Sequence, residues 1–272
     1  MKTIEFASEE VNNTSPWDQP RGDKNNDNNS YEDLVLKPEY AKRRLRFDAG
    51  QTWFRIVPAV AGSTHGWMMR LHVLNFARGH FSHPRTLKPN AKSVFDHAYA
   101  WALENAPAGL YSKNNKEGVR LLADPMRLFW ALIEREGKYV ARLVYLSGYD
   151  GSRGGAPGLG WKIWNLCYER DEIGARIADV VSPEKGVLVS VEKNQPKGSK
   201  YPSYHLTLGR NPKPMSELLT QMDPEEIDAL CPLEHTVREL SDEEQWQCLA
   251  KIMAPSTAAQ IRESLGHPNV NS

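Results

Sequence analysis

Hydrophobic and polar residues alternate in two runs in the second half of the chain, and this pattern predicts a β-hairpin over 186–210. A period of two is typical of half-buried strands. The alternating apolar residues are Val187, Val189 and Val191 in the first run and Tyr204, Leu206 and Leu208 in the second. Proline and glycine between the runs favour turns, so we expect residues 193–203 to form a long, exposed hairpin tip.

Four earlier segments also have the composition of strands. Trp53–Val57 is closed by a proline, and 67–76 follows it as a candidate hairpin partner. Residues 124–136 and 137–149 predict a second strand pair with a tight turn between them. Within this pair, 128–132 (LFWAL) fits a helix as well as a strand by periodicity, and we favour the strand.

Helical periodicity replaces alternation in three places. Residues 77–122 contain turns and then a helix with Phe95 and Trp101 on its apolar face, which we interpret as an insertion between strands. A glycine-rich loop leads into a short helix at 161–169, and the chain after Pro214 is mostly helical. We therefore predict a mainly β fold with helices: an OB-fold-like Greek-key barrel, a helical insertion and a C-terminal helical acidic segment.

The formal net charge of zero is unevenly distributed along the chain. Residues 42–215 contain 27 Lys and Arg against 14 Asp and Glu, a net charge of +13. The flanks carry net charges of −5 over 1–41 and −8 over 216–272. A basic body between acidic ends indicates a polyanion-binding middle. We expect a mobile acidic arm over 1–40, which is poor in aliphatic residues, a nucleic-acid-binding core over 41–215 and an acidic helical segment over 216–272.

The composition indicates a cytoplasmic protein without a membrane partner. The chain has no run of 18 apolar residues, and its first residues do not have the pattern of a signal peptide. The three cysteines, Cys167, Cys231 and Cys248, are isolated, as buried thiols are in a reducing compartment.

The hairpin tip has the chemistry that a flexible single strand requires. Lys193, Lys197 and Lys200 accompany Tyr201, and no acidic residue lies between Lys193 and Arg210. Cations contact phosphates, and aromatic rings stack on unpaired bases. The alternative is a solvated lysine-rich loop with a tyrosine packed at its base.

The glycine-rich loop at 148–160 does not have the spacing of a nucleotide-binding motif. It is either a connection that lets the backbone approach a ligand strand, with Arg153 and Lys162 at its ends, or a structural turn. A similar choice applies to the tryptophans of the basic body, which belong either to the core or to stacking platforms. These are Trp53, Trp130, Trp161 and Trp164.

Histidines of the insertion offer a different function. His80, His83, Asp96 and His97 would be the ligands of a metal-dependent nucleic-acid-processing enzyme. Structural zinc usually requires cysteine as well, and none is near these residues, so we favour exposed histidines and expect no cofactor. No catalytic pattern stands out, and we expect no enzymatic activity. A protein-interaction adaptor is the third alternative.

The order of these elements resembles the replication single-stranded-DNA-binding proteins of T-even phages over about residues 42–215. Three segments carry the resemblance: WFRIVPAV at 53–60, the strand pair and helix at 128–166, and the hairpin at 187–208. The helix keeps a Gly–basic–Ile–Trp pattern, which is formed by Gly160, Lys162, Ile163 and Trp164. The resemblance implies an OB-fold core that binds single-stranded DNA.

The chain departs from that family in two respects. The family's insertion holds zinc through one histidine and three cysteines, whereas 77–122 has no cysteine, which implies a metal-free insertion packed on Phe95 and Trp101. The family's N-terminal cooperativity arm is basic, whereas this arm is acidic as far as Lys42. Cooperative binding by that route is therefore not implied.

These arguments together predict a protein of phage or bacterial DNA replication, recombination or repair that binds single-stranded DNA largely without sequence specificity. Replication or recombination proteins are expected partners of the acidic C-terminal segment. The predicted DNA-binding residues are Arg46, Trp53, Arg55, Arg142, Tyr145, Arg153, Lys162, Lys193, Lys197, Lys200, Tyr201 and Tyr204.

Overall fold

Nine strands and eight α-helices make up the regular structure of the described residues. The structure is a computed structural model that describes residues 3–4, 32–76, 79–105, 121–152, 156–168, 179–195 and 202–266. The strands are β1 (Thr3–Ile4), β2 (Glu32–Leu34), β3 (Gly50–Ile56), β4 (Met69–Phe76), β5 (Gly79–Ser82), β6 (Asp124–Arg135), β7 (Lys138–Ser147), β8 (Val187–Asn194) and β9 (Ser203–Pro212). The helices are α1 (Pro38–Ala41), α2 (Val94–Asn105), α3 (Leu159–Leu166), α4 (Met215–Leu219), α5 (Pro224–Asp228), α6 (Leu233–Thr236), α7 (Asp242–Ile252) and α8 (Pro255–Ser264).

The first of two units contains β1 together with Pro38–Arg70 and Met126–Thr236. Its strands follow the order β1-β9-β8-β3-β6-β7, and all neighbours in this order are antiparallel. The predicted strand pair of 124–149 is confirmed, and the ambiguous 128–132 lies within β6. The predicted hairpin of 186–210 is confirmed in β8 and β9. Its tip at 196–201 lies outside the described residues.

The core of the first unit is built from the inward faces of these strands and from one face of α3. Its members include Phe54 of β3, Phe129 of β6, Ile163 of α3, Val189 of β8 and Leu206 of β9. Burying aliphatic and aromatic side chains of this size stabilises a fold by roughly 1.5–3 kcal/mol each. The alternating pattern of β8 and β9 therefore predicts the core residues as well as the strands.

The second unit contains Asp23–Lys37, Leu71–Pro125 and Val237–Ser272. In its sheet, β5 pairs antiparallel with β4 and parallel with β2. Its core includes Leu74, Phe81, Phe95, Leu249 and Ile261. The predicted insertion helix is present as α2, and it shares this core with α7 and α8.

The sheet with helices agrees with the prediction, but the described residues contain helix and strand in nearly equal amounts instead of being mainly β, and the strands form an open sheet. The order of the first unit begins at β1 and ends at β7, and these two strands are not paired with each other in the part of the chain that the structure describes. The expectation that 67–76 forms a hairpin with 53–57 is wrong, because β3 pairs with β6 and β8.

Two expected boundaries also change. Ordered structure was predicted to begin near Tyr40, but Glu32–Leu34 forms β2 and Val35 is completely buried. The acidic segment 216–272 was predicted as one piece, but the chain passes from the first unit to the second at Val237. Its helices α4 to α6 belong to the first unit, whereas α7 and α8 belong to the second.

In the regions that are described, we find no helix of the length and hydrophobicity needed to cross a lipid bilayer.

Candidate functional site

Four aromatic side chains meet around α3 in the first unit, and we refer to Trp67, Trp161, Trp164 and Tyr168 as the aromatic patch. The rings of Trp67 and Trp164 are stacked, with centroids 5.7 Å apart and planes 17° apart. The ring of Tyr168 lies 4.7 Å from that of Trp164. Tyr168 is 50% exposed, whereas Trp161 is half-buried. The patch therefore presents aromatic surface to solvent above a rigid stack.

One arginine packs on the aromatic patch, and the charge of a second acts on it. The guanidinium carbon of Arg127 lies 4.7 Å from the ring centroid of Trp164 and 5.6 Å from that of Trp161. Contacts of this kind contribute about 0.5–2 kcal/mol each. Burial lowers the pKa of Arg127, and the positive charge of Arg70 lowers it further. Arg70 itself is exposed. The site thus combines aromatic rings with two cationic groups.

Glycine at position 160 allows α3 to lie close enough for these contacts. A Cβ atom at Gly160 would lie 2.7 Å from the carbonyl oxygen of Ser147 and 3.0 Å from the Cβ of Arg127. A larger side chain would push α3 away from β6 and β7. The glycine at the helical end of the loop therefore allows close packing, and it leaves room for the stem of Arg127.

The prediction that Arg55 contacts DNA is wrong. Arg55 is completely buried, and its guanidinium donates hydrogen bonds to four backbone carbonyls. The accepting oxygens are those of Ile56 at 2.6 Å, Val180 at 2.7 Å, Lys213 at 3.1 Å and Ser182. Burial lowers the pKa of Arg55 to about 10. The group is an internal support that ties β3 to the segment before β8 and to the segment after β9.

Tyr145 also differs from its predicted role. It is 2% exposed, and the guanidinium carbon of Arg44 lies 4.7 Å from its ring centroid. Its ring is therefore covered by protein and does not present a face on which a base can stack. The alternation of β7 places Tyr145 toward the interior.

Arg142 is half-buried and paired with an acidic side chain. One carboxylate oxygen of Glu226 accepts hydrogen bonds from Arg43 at 2.7 Å, from the amide of Ala141 at 2.7 Å and from Arg142 at 3.3 Å. The Ala141 amide lies along β7 between amides that donate to the carbonyls of Gln221 and Arg43. The Glu226 carboxylate of α5 therefore accepts the hydrogen bond of a β7 amide whose neighbours along the strand donate to backbone carbonyls. It also neutralises part of the positive charge of Arg43 and Arg142.

The base of the hairpin brings two predicted residues together. Lys193 and Tyr204 are directly opposite in the β8–β9 ladder. The ammonium of Lys193 donates to the carbonyl oxygen of Phe47 at 3.1 Å, and Tyr204 packs partly against the core. Their exposed surfaces are therefore small.

The remaining predicted residues are exposed, partly buried or outside the described part of the chain. Arg46 is exposed, and Trp53 is half-buried on β3. Burial lowers the pKa of Lys162 on α3. The predicted residues outside the described part of the chain are Arg153, Lys197, Lys200 and Tyr201.

Two histidines of the insertion are buried, contrary to expectation, and a third, His97, is half-buried. His80 and His83 are buried, and Nδ1 of His83 accepts a hydrogen bond from the amide of Arg85 at 3.1 Å. Nε2 of His83 lies 3.5 Å from a carboxylate oxygen of Asp96. Burial lowers the pKa of His83 to about 4, although Asp96 opposes that shift. Within the described ranges, no group of three or more His, Cys, Asp and Glu is arranged to hold a metal ion.

Sequence reasoning named Trp161 and Trp164 as core residues or stacking platforms, but it missed Trp67 and Tyr168 and the roles of Arg70 and Arg127. Trp164 and Tyr168 are four residues apart, and this spacing places two side chains on one helix face, so their contact was available from the sequence. Trp67 and Arg127 reach α3 from distant parts of the chain. No local pattern identifies such long-range neighbours.

No protein-family model matches this chain, and no curated protein matches it significantly.

Proposed function

We propose that this protein binds single-stranded DNA largely without sequence specificity, and that the first unit forms the binding surface. The observation that carries the proposal is the half-exposed ring of Tyr168, which extends a tryptophan stack beside Arg70 and Arg127. Single-strand-binding proteins combine aromatic platforms for bases with cations for phosphates. A sequence-tolerant interaction follows because every base has a face that can stack.

The topology supports a finer assignment of the fold. Five strands in the order β9-β8-β3-β6-β7, with α3 between β7 and β8, are compatible with an OB-fold core. We propose that the first unit is a divergent, open member of this class. The resemblance to the single-stranded-DNA-binding proteins of T-even phages stays a prediction, and DNA replication, recombination or repair is the proposed setting.

The acidic helices have a proposed role as a partner surface. Glu226 of α5 is engaged by Arg43 and Arg142, whereas the neighbouring Glu225 is exposed. Exposed acids on α5 would attract basic surfaces of replication or recombination proteins at low ionic strength. We propose a cytoplasmic binding protein without enzymatic activity.

Replacing Tyr168 by alanine tests the proposed platform. We expect Tyr168→Ala to weaken binding of a dT oligomer by roughly 1–3 kcal/mol, the usual effect of losing one stacked base, without changing the fold. Tyr168→Phe should bind nearly as the wild type does, because the ring is retained. The measurement is a fluorescence-anisotropy titration at fixed salt, with circular dichroism to check the fold.

Leu103→Ala provides the matched control, because Leu103 is 59% exposed on α2 of the second unit. It removes exposed apolar surface from a residue that is not part of the aromatic patch and should leave affinity unchanged. Equal affinities of Tyr168→Ala and the wild type would show that the patch does not contact the strand.

A further inference from the structure

Arg127 is a cation in an unusual setting. It is half-buried against tryptophan rings, and among the described residues neither Arg127 nor Arg70 takes part in an ion pair. The Nε of Arg127 is buried and has no hydrogen-bond partner in the described structure. Removing a cation from water without a nearby anion is unfavourable. The positive charge of Arg70 adds repulsion, which an anionic ligand would relieve.

The position of Tyr168 indicates which further chemical group an anionic ligand of Arg127 would carry. The guanidinium carbon of Arg127 and the ring centroid of Tyr168 each lie 4.7 Å from the ring centroid of Trp164. A charged group and an exposed ring that both contact one indole are within the reach of a single nucleotide. The site therefore matches a phosphate joined to an aromatic base more closely than it matches a free inorganic anion.

We propose that Arg127 and Arg70 form a phosphate seat for one nucleotide, whose base stacks on Tyr168. The inference rests on the proposed single-strand binding and adds a defined subsite to it. Phosphate bound there would accept hydrogen bonds from both guanidinium groups, including the buried Nε of Arg127. Arginine suits this role because its planar fork matches phosphate geometry and also stacks on aromatic rings.

One acid opposes the seat from the adjoining loop. Asp150 accepts hydrogen bonds from the amide and hydroxyl of Ser152 at 3.0 and 2.5 Å. These hydrogen bonds lower the pKa of Asp150, and the charge of Arg70 contributes in the same direction. Asp150 is therefore ionised at neutral pH and reduces the positive potential at Arg70. Neutralising it should strengthen phosphate binding without altering the core.

The test compares thymidine 5′-monophosphate, thymidine and inorganic phosphate as ligands of the full chain. The indole N–H resonances of Trp161 and Trp164 in an NMR titration report on the site. We expect the monophosphate to bind at least about tenfold more tightly than thymidine, because charge-assisted hydrogen bonds contribute on that scale. It should also bind more tightly than inorganic phosphate, which has no base. Equal affinity of the monophosphate and thymidine would overturn the seat, and equal affinity of the two phosphates would overturn the stacked base.

Three variants separate a binding role from a structural one. Arg70→Met, at an exposed position, should reduce the affinity for the monophosphate about tenfold and leave that for thymidine unchanged. Arg127→Met should do the same if it folds. Asp150→Asn should increase the affinity for the monophosphate about twofold to fivefold, whereas Glu184→Gln, at an exposed acid elsewhere in the unit, should not. No change in Arg70→Met and Asp150→Asn would contradict the proposal.

A failure of the phosphate seat can be distinguished experimentally from a failure of the proposed single-strand binding. If the wild type binds a dT oligomer and Arg70→Met binds it with the same affinity and salt dependence, the seat is wrong and strand binding stands. If the wild type binds no oligomer, the proposed function is wrong, and the mononucleotide titration still decides whether the seat exists.

Discussion

Replacing Arg55 by methionine should lower the free energy of unfolding of the first unit by about 3–5 kcal/mol. The guanidinium satisfies the carbonyl oxygens of Ile56, Val180, Ser182 and Lys213, and it is completely buried. Methionine fills much of the same volume but donates no hydrogen bond. The carbonyls of Ile56, Val180 and Lys213 would then lose the donor that Arg55 supplies, and that of Ser182 would keep only the Gly186 amide. Urea unfolding followed by far-ultraviolet circular dichroism measures the loss.

Arg46→Met is the matched control, because Arg46 is exposed and has the same side-chain chemistry. It should unfold at the wild-type urea concentration and should weaken oligonucleotide binding modestly through the loss of one charge. Arg55→Met is therefore expected to lower stability, whereas Arg46→Met is expected to weaken binding without lowering stability. A wild-type unfolding midpoint for Arg55→Met would contradict the role assigned to its hydrogen bonds.

Acidification should destabilise the second unit through His83. Burial lowers the pKa of the folded imidazole to about 4, whereas an unfolded histidine titrates near 6.5. Between these values the unfolded chain binds a proton that the folded chain does not. The free energy of unfolding therefore falls as the pH decreases from 6.5 to 4, by up to about 3 kcal/mol in total. Above pH 6.5 this contribution is fully present and independent of pH.

The His83→Gln variant isolates this effect from the other titrating groups around the site, Asp96, Arg85 and His72. Glutamine does not titrate and can still accept a hydrogen bond from the Arg85 amide. Between pH 7 and pH 5 the wild type should lose about 2 kcal/mol more stability than His83→Gln does. The measurement is urea unfolding at both pH values. Identical pH dependence in the two proteins would show that His83 titrates normally in the folded state.

Strand alternation predicted much of the first unit because its strands have one face in the core. Apolar residues recur at every second position in β8 and β9, so the pattern identified both strands and several of the residues that they bury, such as Val189 and Leu206. The 128–132 stretch was ambiguous because its residues are buried on both faces, and a continuous apolar run has no period. The pairing of β6 with β7 resolves it as a strand.

Long-range partners were outside the reach of the sequence. From the sequence, Arg55 is expected to be a cation on the surface. It is an internal support because the fold brings four backbone carbonyls around its guanidinium. The second unit is assembled from 23–37, 71–125 and 237–272, which are far apart in the chain, so α7 was not predicted to share a core with Phe95. The contact of Arg127 with Trp164 likewise depends on the close packing of α3 at Gly160 against Ser147 and Arg127.

Single-strand preference tests the central claim most directly. Unpaired bases can stack on Tyr168, whereas a duplex offers the same arginines only its phosphates. The measurement is a titration of intrinsic tryptophan fluorescence with a dT oligomer and with a duplex of matched length, at two salt concentrations. We predict tighter binding of the oligomer at both, with affinity falling as salt rises. Equal or tighter binding of the duplex would contradict the account.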